Sequence, residues 1–317
     1  MENRVNGVAE TLKPEWKPLR KIEYVSTVCP ICKSGRFRLK YSKKIRDIHM
    51  CYYVCLECKV LYANPRAAVE SLRQIYASSD FFSGGSPGGD HLNYHDFIGG
   101  EKYLRMTARD RLMRIKKYCS RGKMLEVASA AGFFLAEAKA AGYEVSGVEF
   151  SEPLASFASK KWNVSVIPES IERIDFPEGV YDVIASWGVM TIIQDPLAII
   201  RKFYRALKPG GVWAFNTYYY EGLWPRIVGS RWDILTVNFS QLYTKQLLID
   251  LISKNGFKLL SRRRERPYTD LMKIADKLVQ TLKMSWLPSF LRRCGMGELI
   301  VKIPLPDVME YIWEKQN

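Results

Sequence analysis

Met124–Leu–Glu–Val–Ala–Ser–Ala–Ala–Gly–Phe–Phe–Leu135 is the stretch on which the fold turns. An apolar run, a turn of small residues ending in Gly132 and a second apolar run read as strand, tight turn and helix, the layout of a nucleotide-binding loop. Downstream, the same alternation repeats. Lys123 to Val127 reads as a strand and Phe133 to Ala141 as a helix ending at Gly142. Glu144 to Phe150 is a strand, Pro153 to Lys161 a helix, and Tyr181 to Trp187 a buried strand. Pro196 to Leu207 is a helix stopped by Lys208–Pro–Gly–Gly211, and Val212 to Thr217 a further strand. Repeated strand–helix units predict an α/β domain with a doubly wound sheet, whose ligand lies at the carboxyl ends of the strands.

Upstream stand two Cys-x-x-Cys knuckles, Cys29–Pro–Ile–Cys32 and Cys55–Leu–Glu–Cys58, separated by 22 residues. The intervening stretch alternates in strand fashion through Phe37, Leu39, Tyr41 and Tyr53. A hairpin that joins two such knuckles presents four thiolates in a tetrahedron, the closed geometry of structural Zn2+. His49 and Cys51 lie close enough in sequence to substitute for one of the four. The alternative is four reduced cysteines with no metal.

Bulk properties set the limits. A chain of 317 residues with 47% hydrophobic residues has enough apolar side chains for one α/β domain and a small appendage. No apolar run reaches the ~18 residues that a membrane span needs, and Met1 to Arg20 has no signal-peptide character, so a cytoplasmic location is expected. Forty-eight Lys and Arg against 33 Asp and Glu give a formal charge of +15, concentrated at Lys33 to Arg46 and Arg262–Arg–Arg–Glu–Arg266. Such a field suits an anionic partner, which leaves nucleic acid and a peripheral membrane contact both open.

Together these segments resemble the class I S-adenosylmethionine-dependent methyltransferases, and within them the group with an N-terminal zinc ribbon. The resemblance extends from the second knuckle through Leu61–Tyr–Ala–Asn–Pro65 to Tyr76, and resumes at the Met124 loop. Gly147–Val–Glu–Phe–Ser151, Phe176 to Ile184, Asp195–Pro196, Leu207–Lys–Pro–Gly–Gly211 and Gly256–Phe257 carry the rest. It implies a Rossmann-like seven-stranded sheet preceded by a small β-rich ribbon. The division it implies is a ribbon over 1–65, a helical linker and cofactor lid over 66–120, and the methyltransferase domain over 121–317.

The resemblance also implies roles. Glu149 is expected to accept hydrogen bonds from the ribose hydroxyls, and Glu126 to orient the loop and the amino-acid end of the cofactor. Gly132 is expected to let backbone approach the ligand, with Phe133 and Phe150 beside it. Ser170 and Ile171 are expected at the adenine edge, and Ser186 and Trp187 near the methyl-bearing sulfonium. Cys29, Cys32, Cys55 and Cys58 are the expected zinc ligands. The chain departs from the family where Ala128 and Ala130 replace glycines, where Thr191 and Ile192 replace an acid–histidine pair, and where Phe239 replaces a histidine. Alanine favours negative φ, so a weakened cofactor site is expected.

No residue is assigned as catalytic base. His91 and His95, with Asp96, lie in the glycine-rich Gly84 to Gly100, an expected lid. Two insertions read as substrate elements. One is aromatic, over 218–235, with Tyr218–Tyr–Tyr220, Trp224 and Trp232. The other, over 268–292, holds an amphipathic helix at Leu271 to Trp286, between a sixth strand at Lys258 to Ser261 and a last strand at Glu298 to Ile303. The expected activity is O- or N-methylation of a small, glycan-like or lipid-linked acceptor. Sugar C-methyltransferases of this group carry a further C-terminal domain, which weighs against sugar C-methylation. The alternatives are a methyltransferase-fold scaffold that has lost turnover and, third, an RNA methyltransferase.

Overall fold

The computed structural model describes residues 22–45, 48–77 and 98–317. Seven strands form the central sheet: β6 (Gly122–Val127), β7 (Tyr143–Val148), β8 (Ser165–Ile167), β9 (Tyr181–Trp187), β10 (Leu207–Tyr218), β12 (Phe257–Arg264) and β15 (Val308–Lys315). Their order across the sheet is β12-β15-β10-β9-β6-β7-β8. The five strands from β8 to β10 are parallel, while β15 runs antiparallel between β10 and β12. Chain order reverses between β6 and β9, and in doubly wound sheets that switch point opens a crevice at the strand ends.

Period-two alternation decides which side chains face which layer. Leu125, Val127 and Ile184 join the core with Trp213, Phe215 and Trp313. Met124, Val183 and Ala185 face the opposite layer, under Leu112 and Ile115 of helix α2 (Glu101–Ile115). Helix α1 (Val69–Ala77) precedes it; α3 (Phe133–Ala140), α4 (Glu152–Trp162) and α5 (Pro196–Ala206) are the sheet crossovers. The start of α5 is fixed by Asp195, whose carboxylate accepts from the Ala198 amide at 3.1 Å, with Pro196 preset for the first turn.

The N-terminal ribbon is built on β2 (Phe37–Ile45), β3 (Ile48–Cys55) and β4 (Leu61–Ala63). Its sheet gains a fourth strand from the larger domain, β11 (Gln241–Leu242), which pairs antiparallel with β4. Short β1 (Tyr24–Val25) pairs with β5 (Arg66–Ala67). The aromatic insertion supplies the other half of this contact. Trp232 and Leu235, with Phe239 just beyond the insertion, are buried with Tyr52 and Leu61 of the ribbon. Lys43 reaches across to donate to the carbonyls of Trp232 and Leu235, each at 3.0 Å, and burial pushes its ammonium down to about 8. The insertion read as a substrate platform therefore buries Trp232 and Tyr220 as mortar between ribbon and sheet; Trp224 packs at its edge.

Two further expectations are corrected. The seventh sheet strand is Val308–Lys315, not Glu298 to Ile303. Among the described residues, Ile300–Lys302 (β14) pairs only with Tyr268–Asp270 (β13), closing the base of a small lobe. Within that lobe the amphipathic helix is divided into α8 (Leu271–Leu282) and α9 (Leu287–Arg293), because Lys283 turns left-handed and ends the first helix. Helices α6 (Leu223–Val228) and α7 (Lys245–Ser253) complete the described helices.

Candidate active site and cysteine cluster

The turn after β6 keeps a glycine-type path without the glycines. Ala128 and Ala130 have φ of 56° and 47°, in the left-handed region that costs an L-residue about 1–2 kcal/mol. The expectation that alanine would hold φ negative is overturned here. Neighbouring hydrogen bonds impose the path. The Ser129 amide donates to the Val148 carbonyl at 3.2 Å, and the Ala130 amide to Glu149 Oε2 at 2.7 Å. Trp162 Nε1 donates to the Ala131 carbonyl at 2.8 Å.

Glu149 follows β7 and is buried. Its second oxygen accepts from the Ser151 amide at 2.8 Å. Each carboxylate oxygen thus spends one lone pair on the loop and keeps another for a ligand. Burial raises its pKa, against the pull of the backbone amides of Ser151 and Ala130. Glu126 lies on β6 with the Met124 face, where burial holds its pKa well above the ordinary carboxylate value despite the field of Arg111. One of its oxygens, Oε2, is buried without a hydrogen-bond partner.

A cleft of about 910 Å3 opens over this loop, lined by Glu126, Ala128, Ala130, Phe133, Glu149 and Trp187 among others. A second compartment, of about 560 Å3, adjoins it and is lined by Ser170, Ile171, Glu169 and Val189. The two share Tyr76, Ala128, Phe150 and Ile192 as walls. A ligand with one polar end and one flat apolar end fits this division. The orphaned Glu126 oxygen suits an ammonium group, the free lone pairs of Glu149 suit a diol, and Phe150 with Ile171 walls a flat ring system. These residues fit S-adenosylmethionine, which when bound supplies an electrophilic methyl group on a sulfonium.

Two predicted contacts fall elsewhere. Gly132, at φ 73°, does not line the cleft; a Cβ there would meet Ala158 Cβ at 2.7 Å and Trp162 at 3.0 Å. Its role is close packing of the loop on α4. Ser186 is buried facing the Trp213 core and accepts from Trp213 Nε1 at 2.9 Å. Successive strand residues point to opposite faces, so Trp187 lines the cleft and Ser186 does not. Where the resemblance implies an acid–histidine pair, the Thr191 side chain donates to the Gly188 carbonyl at 3.3 Å and Ile192 walls both compartments. Phe239 packs edge-on against Tyr52 of the ribbon, 5.3 Å between ring centres. Most of the expected lid, residues 84–97 with His91 and His95, lies outside the described residues.

The sequence reading missed the wall opposite the loop. Leu104, Ala108 and Arg111 on α2 complete the cleft, and the Arg111 guanidinium lies 4.2 Å from the centre of the Trp187 ring. Arg111 pairs with buried Glu265, which also accepts from Asn216 Nδ2 at 2.5 Å. Asn216 Oδ1 in turn accepts from the Gly188 amide at 2.6 Å. This chain of contacts fixes the end of β9 against α2. Two signals existed: the helical spacing of 104, 108 and 111, and a lone acid inside the basic run Arg262 to Arg266.

In the ribbon, the Sγ atoms of Cys29, Cys32, Cys55 and Cys58 all lie within 4.8 Å of one another, with Cys29 and Cys55 buried in the same core cluster as Val189 and Tyr243 of the larger domain. Cys29 and Cys58 are 3.4 Å apart, Cys32 and Cys55 3.5 Å. Zn–S bonds of about 2.3 Å on a tetrahedron place sulfurs about 3.8 Å apart, so the cluster is sized for one such ion. His49 stands apart, exposed and 2.7 Å from Ser42 Oγ, and Cys51 is not among the four.

Sheet order, switch-point cleft and acidic strand ends define the class I methyltransferase fold. A methyltransferase domain model matches residues 101–262, just over half of the chain, and the protein belongs to that family, whose cofactor is S-adenosylmethionine. A demethylmenaquinone methyltransferase of Chlorobaculum tepidum is 26% identical over 223 residues, 62% of this chain and 92% of that protein. Phosphoethanolamine N-methyltransferase 3 of Arabidopsis thaliana is 33% identical over 97 residues, 28% of this chain and 19% of that one. Among solved structures, the complex between the Haloferax volcanii Trm112 methyltransferase activator and a methyltransferase aligns with a TM-score of 0.50 at 13% identity. That alignment covers 68% of this chain and 92% of the other, a likeness of fold. No described helix is long and apolar enough to cross a membrane.

Proposed function

We propose that the chain transfers a methyl group to nitrogen or oxygen of a small acceptor with an apolar, lipid-linked body. The observation that carries this is the wall between Glu126 and α2. Leu104, Ala108, Phe134 and Trp187 make it apolar, and the one cation among its described residues, Arg111, is already paired with Glu265. On our reading Glu126 holds the cofactor's ammonium, Glu149 its ribose, and Ser170 with Ile171 the adenine. The acceptor is left the space beside Trp187. Among the described lining residues there is no histidine, and the Tyr76 hydroxyl is engaged by Asn238 at 2.7 Å. An amine lone pair, or an oxygen that is already ionised, needs no base; alignment with the methyl group supplies most of the rate. The relatives act on demethylmenaquinone and on phosphoethanolamine, and the apolar wall favours the first kind of body over the second.

We also read the four cysteines as a structural Zn2+ site. Its four ligands leave no open position, so the metal holds the ribbon and takes no part in transfer. Elemental analysis should return one zinc per chain.

The acceptor reading is tested with methyl-labelled cofactor and paired acceptors, each amine or phenol offered in a short soluble form and in an isoprenyl- or acyl-linked form. Label should favour the lipid-linked member, and Trp187→Ala should raise its KM more than that of the soluble one. Label found only in added RNA, or cofactor binding with no transfer to any acceptor, would sink the reading in favour of an RNA enzyme or a scaffold.

A further inference from the structure

The lobe closed by β13 and β14 carries apolar side chains that its own packing does not use. Trp286 is 59% exposed, Phe290 51% and Leu299 52%, with Leu282 and Met296 also open to solvent. Trp286 and Phe290 sit four residues apart on one side of α9, their rings 6.1 Å apart and edge to face. Leu291 of α9 and Ala275 of α8 are buried, so both helices turn apolar residues inward while the exposed set faces out. Cations flank the set: Lys283, Arg292 and Arg293 are all exposed, and no acidic residue occurs between Asp276 and Glu298.

We infer that the tip of this lobe, from Leu282 to Leu299, docks the protein on an anionic membrane surface. Tryptophan and phenylalanine beside aliphatic side chains, ringed by lysine and arginine, match a bilayer interface in both layers: apolar groups enter the acyl boundary while cations meet headgroup phosphates. A second copy of the chain fits worse. Two like faces would bring Lys283, Arg292 and Arg293 against their equals with only Glu298, at one end of the tip, to answer three cations. Nucleic acid would use the cations and leave Leu282, Met296 and Leu299 facing sugar and water.

The lobe's position gives docking a consequence. The Tyr268 amide of β13 donates to Thr107 Oγ1 of α2 at 2.9 Å, and Lys302 of β14 pairs with Asp110. Helix α2 is the cleft wall that carries Leu104, Ala108 and Arg111. Membrane contact is thus made by the element that buttresses the acceptor side of the cleft. The inference does not depend on the acceptor proposed above, because attachment is measured without methyl transfer.

The zinc-loaded full chain is sedimented with vesicles of phosphatidylcholine alone and of phosphatidylglycerol mixed with phosphatidylcholine. Retention is expected on the mixed vesicles, weakly on the neutral ones, and should fall with salt. R292A/R293A should lower vesicle affinity about 30-fold, at ~1 kcal/mol for each cation near the surface. W286A/F290A should lower it by a similar or larger factor with melting temperature and S-adenosylmethionine affinity unchanged, since both rings are exposed. No retention on mixed vesicles, or retention that W286A/F290A leaves intact, overturns the inference. So would a W286A/F290A-sensitive dimer in sedimentation equilibrium, or RNA binding lost in the same variants while vesicles are ignored.

Discussion

The cysteine cluster and the cofactor loop constrain their backbones in opposite ways. In the ribbon, four side chains converge on a point, and the backbone follows wherever the sulfurs must go. In the loop the backbone path is fixed by its surroundings, through Val148, Glu149 and Trp162, and the side chains comply. Ala128 and Ala130 therefore sit at positive φ although their type disfavours it. A metal quartet does not survive loss of a ligand, whereas a loop held by its neighbours tolerates loss of its glycines. The difference explains how one chain can keep a complete cysteine quartet in its ribbon and yet carry alanine at two loop positions where glycine is expected.

The largest test of this contrast is removal of the proposed zinc. Structural zinc contributes roughly 10–16 kcal/mol of apparent binding energy in small zinc peptides, far more than a ribbon this size can replace. Chelation or Cys55→Ser should melt the ribbon and loosen Trp232 and Phe239, which share its core. Calorimetry should show a transition lost or displaced by many degrees; an unmoved thermogram after complete zinc removal would break the comparison. Next comes Gly132→Ala. The added methyl would lie 2.7 Å from Ala158 Cβ, and overpacking of this kind costs about 1–3 kcal/mol. A drop in denaturation midpoint is expected with little change in cofactor affinity per folded molecule. A selective loss of affinity would return Gly132 to the ligand side.

Acidification probes the ligand side of the loop. Burial raises the pKa of Glu126 above its ordinary 4.5, so the carboxyl takes up a proton at a higher pH than a solvated one. A cationic ligand end prefers the ionised form. Affinity for S-adenosylmethionine should hold at high pH and fall as pH drops through that raised value. Glu126→Gln should weaken binding about 10-fold at about pH 8, in line with a lost charged hydrogen bond, and flatten the profile. An unchanged profile in the variant would remove Glu126 from the site.

Smallest is the restoration of glycine. Relief of ~1–2 kcal/mol of left-handed strain is set against ~0.5–1 kcal/mol of extra unfolded-state freedom. Ala128→Gly and Ala130→Gly should each stabilise by under about 1 kcal/mol and raise cofactor affinity only a few-fold. A gain of two orders of magnitude would mean that the native loop is damaged, not merely strained.

Much of the fold is legible because buried strands and amphipathic crossovers write their periods into the chain. Tyr181–Trp187 can be read to the residue. The last strand is misplaced by sequence because two short apolar stretches flank Pro304 and Pro306, and only pairing with β10 and β12 separates them. Ser186 and Trp187 could have been divided by strand alternation alone. Arg111 and Glu265 could not have been paired from the sequence, since 154 positions separate them and neither lies in a motif. The loop's φ angles are illegible in principle: residue type predicts one sign, and three neighbouring hydrogen bonds impose the other.

Calorimetric titration of S-adenosylmethionine into the zinc-loaded chain, beside its Glu149→Ala variant, reaches furthest into the account. Glu149 both pins the Ala130 amide and offers two lone pairs to a sugar, so its loss should cost about 3 kcal/mol or more, over roughly 100-fold in Kd. Saturable one-to-one binding by the native chain and near-absence in the variant is the predicted result. Equal binding by both, or no heat from either at millimolar ligand with the metal in place, would contradict it.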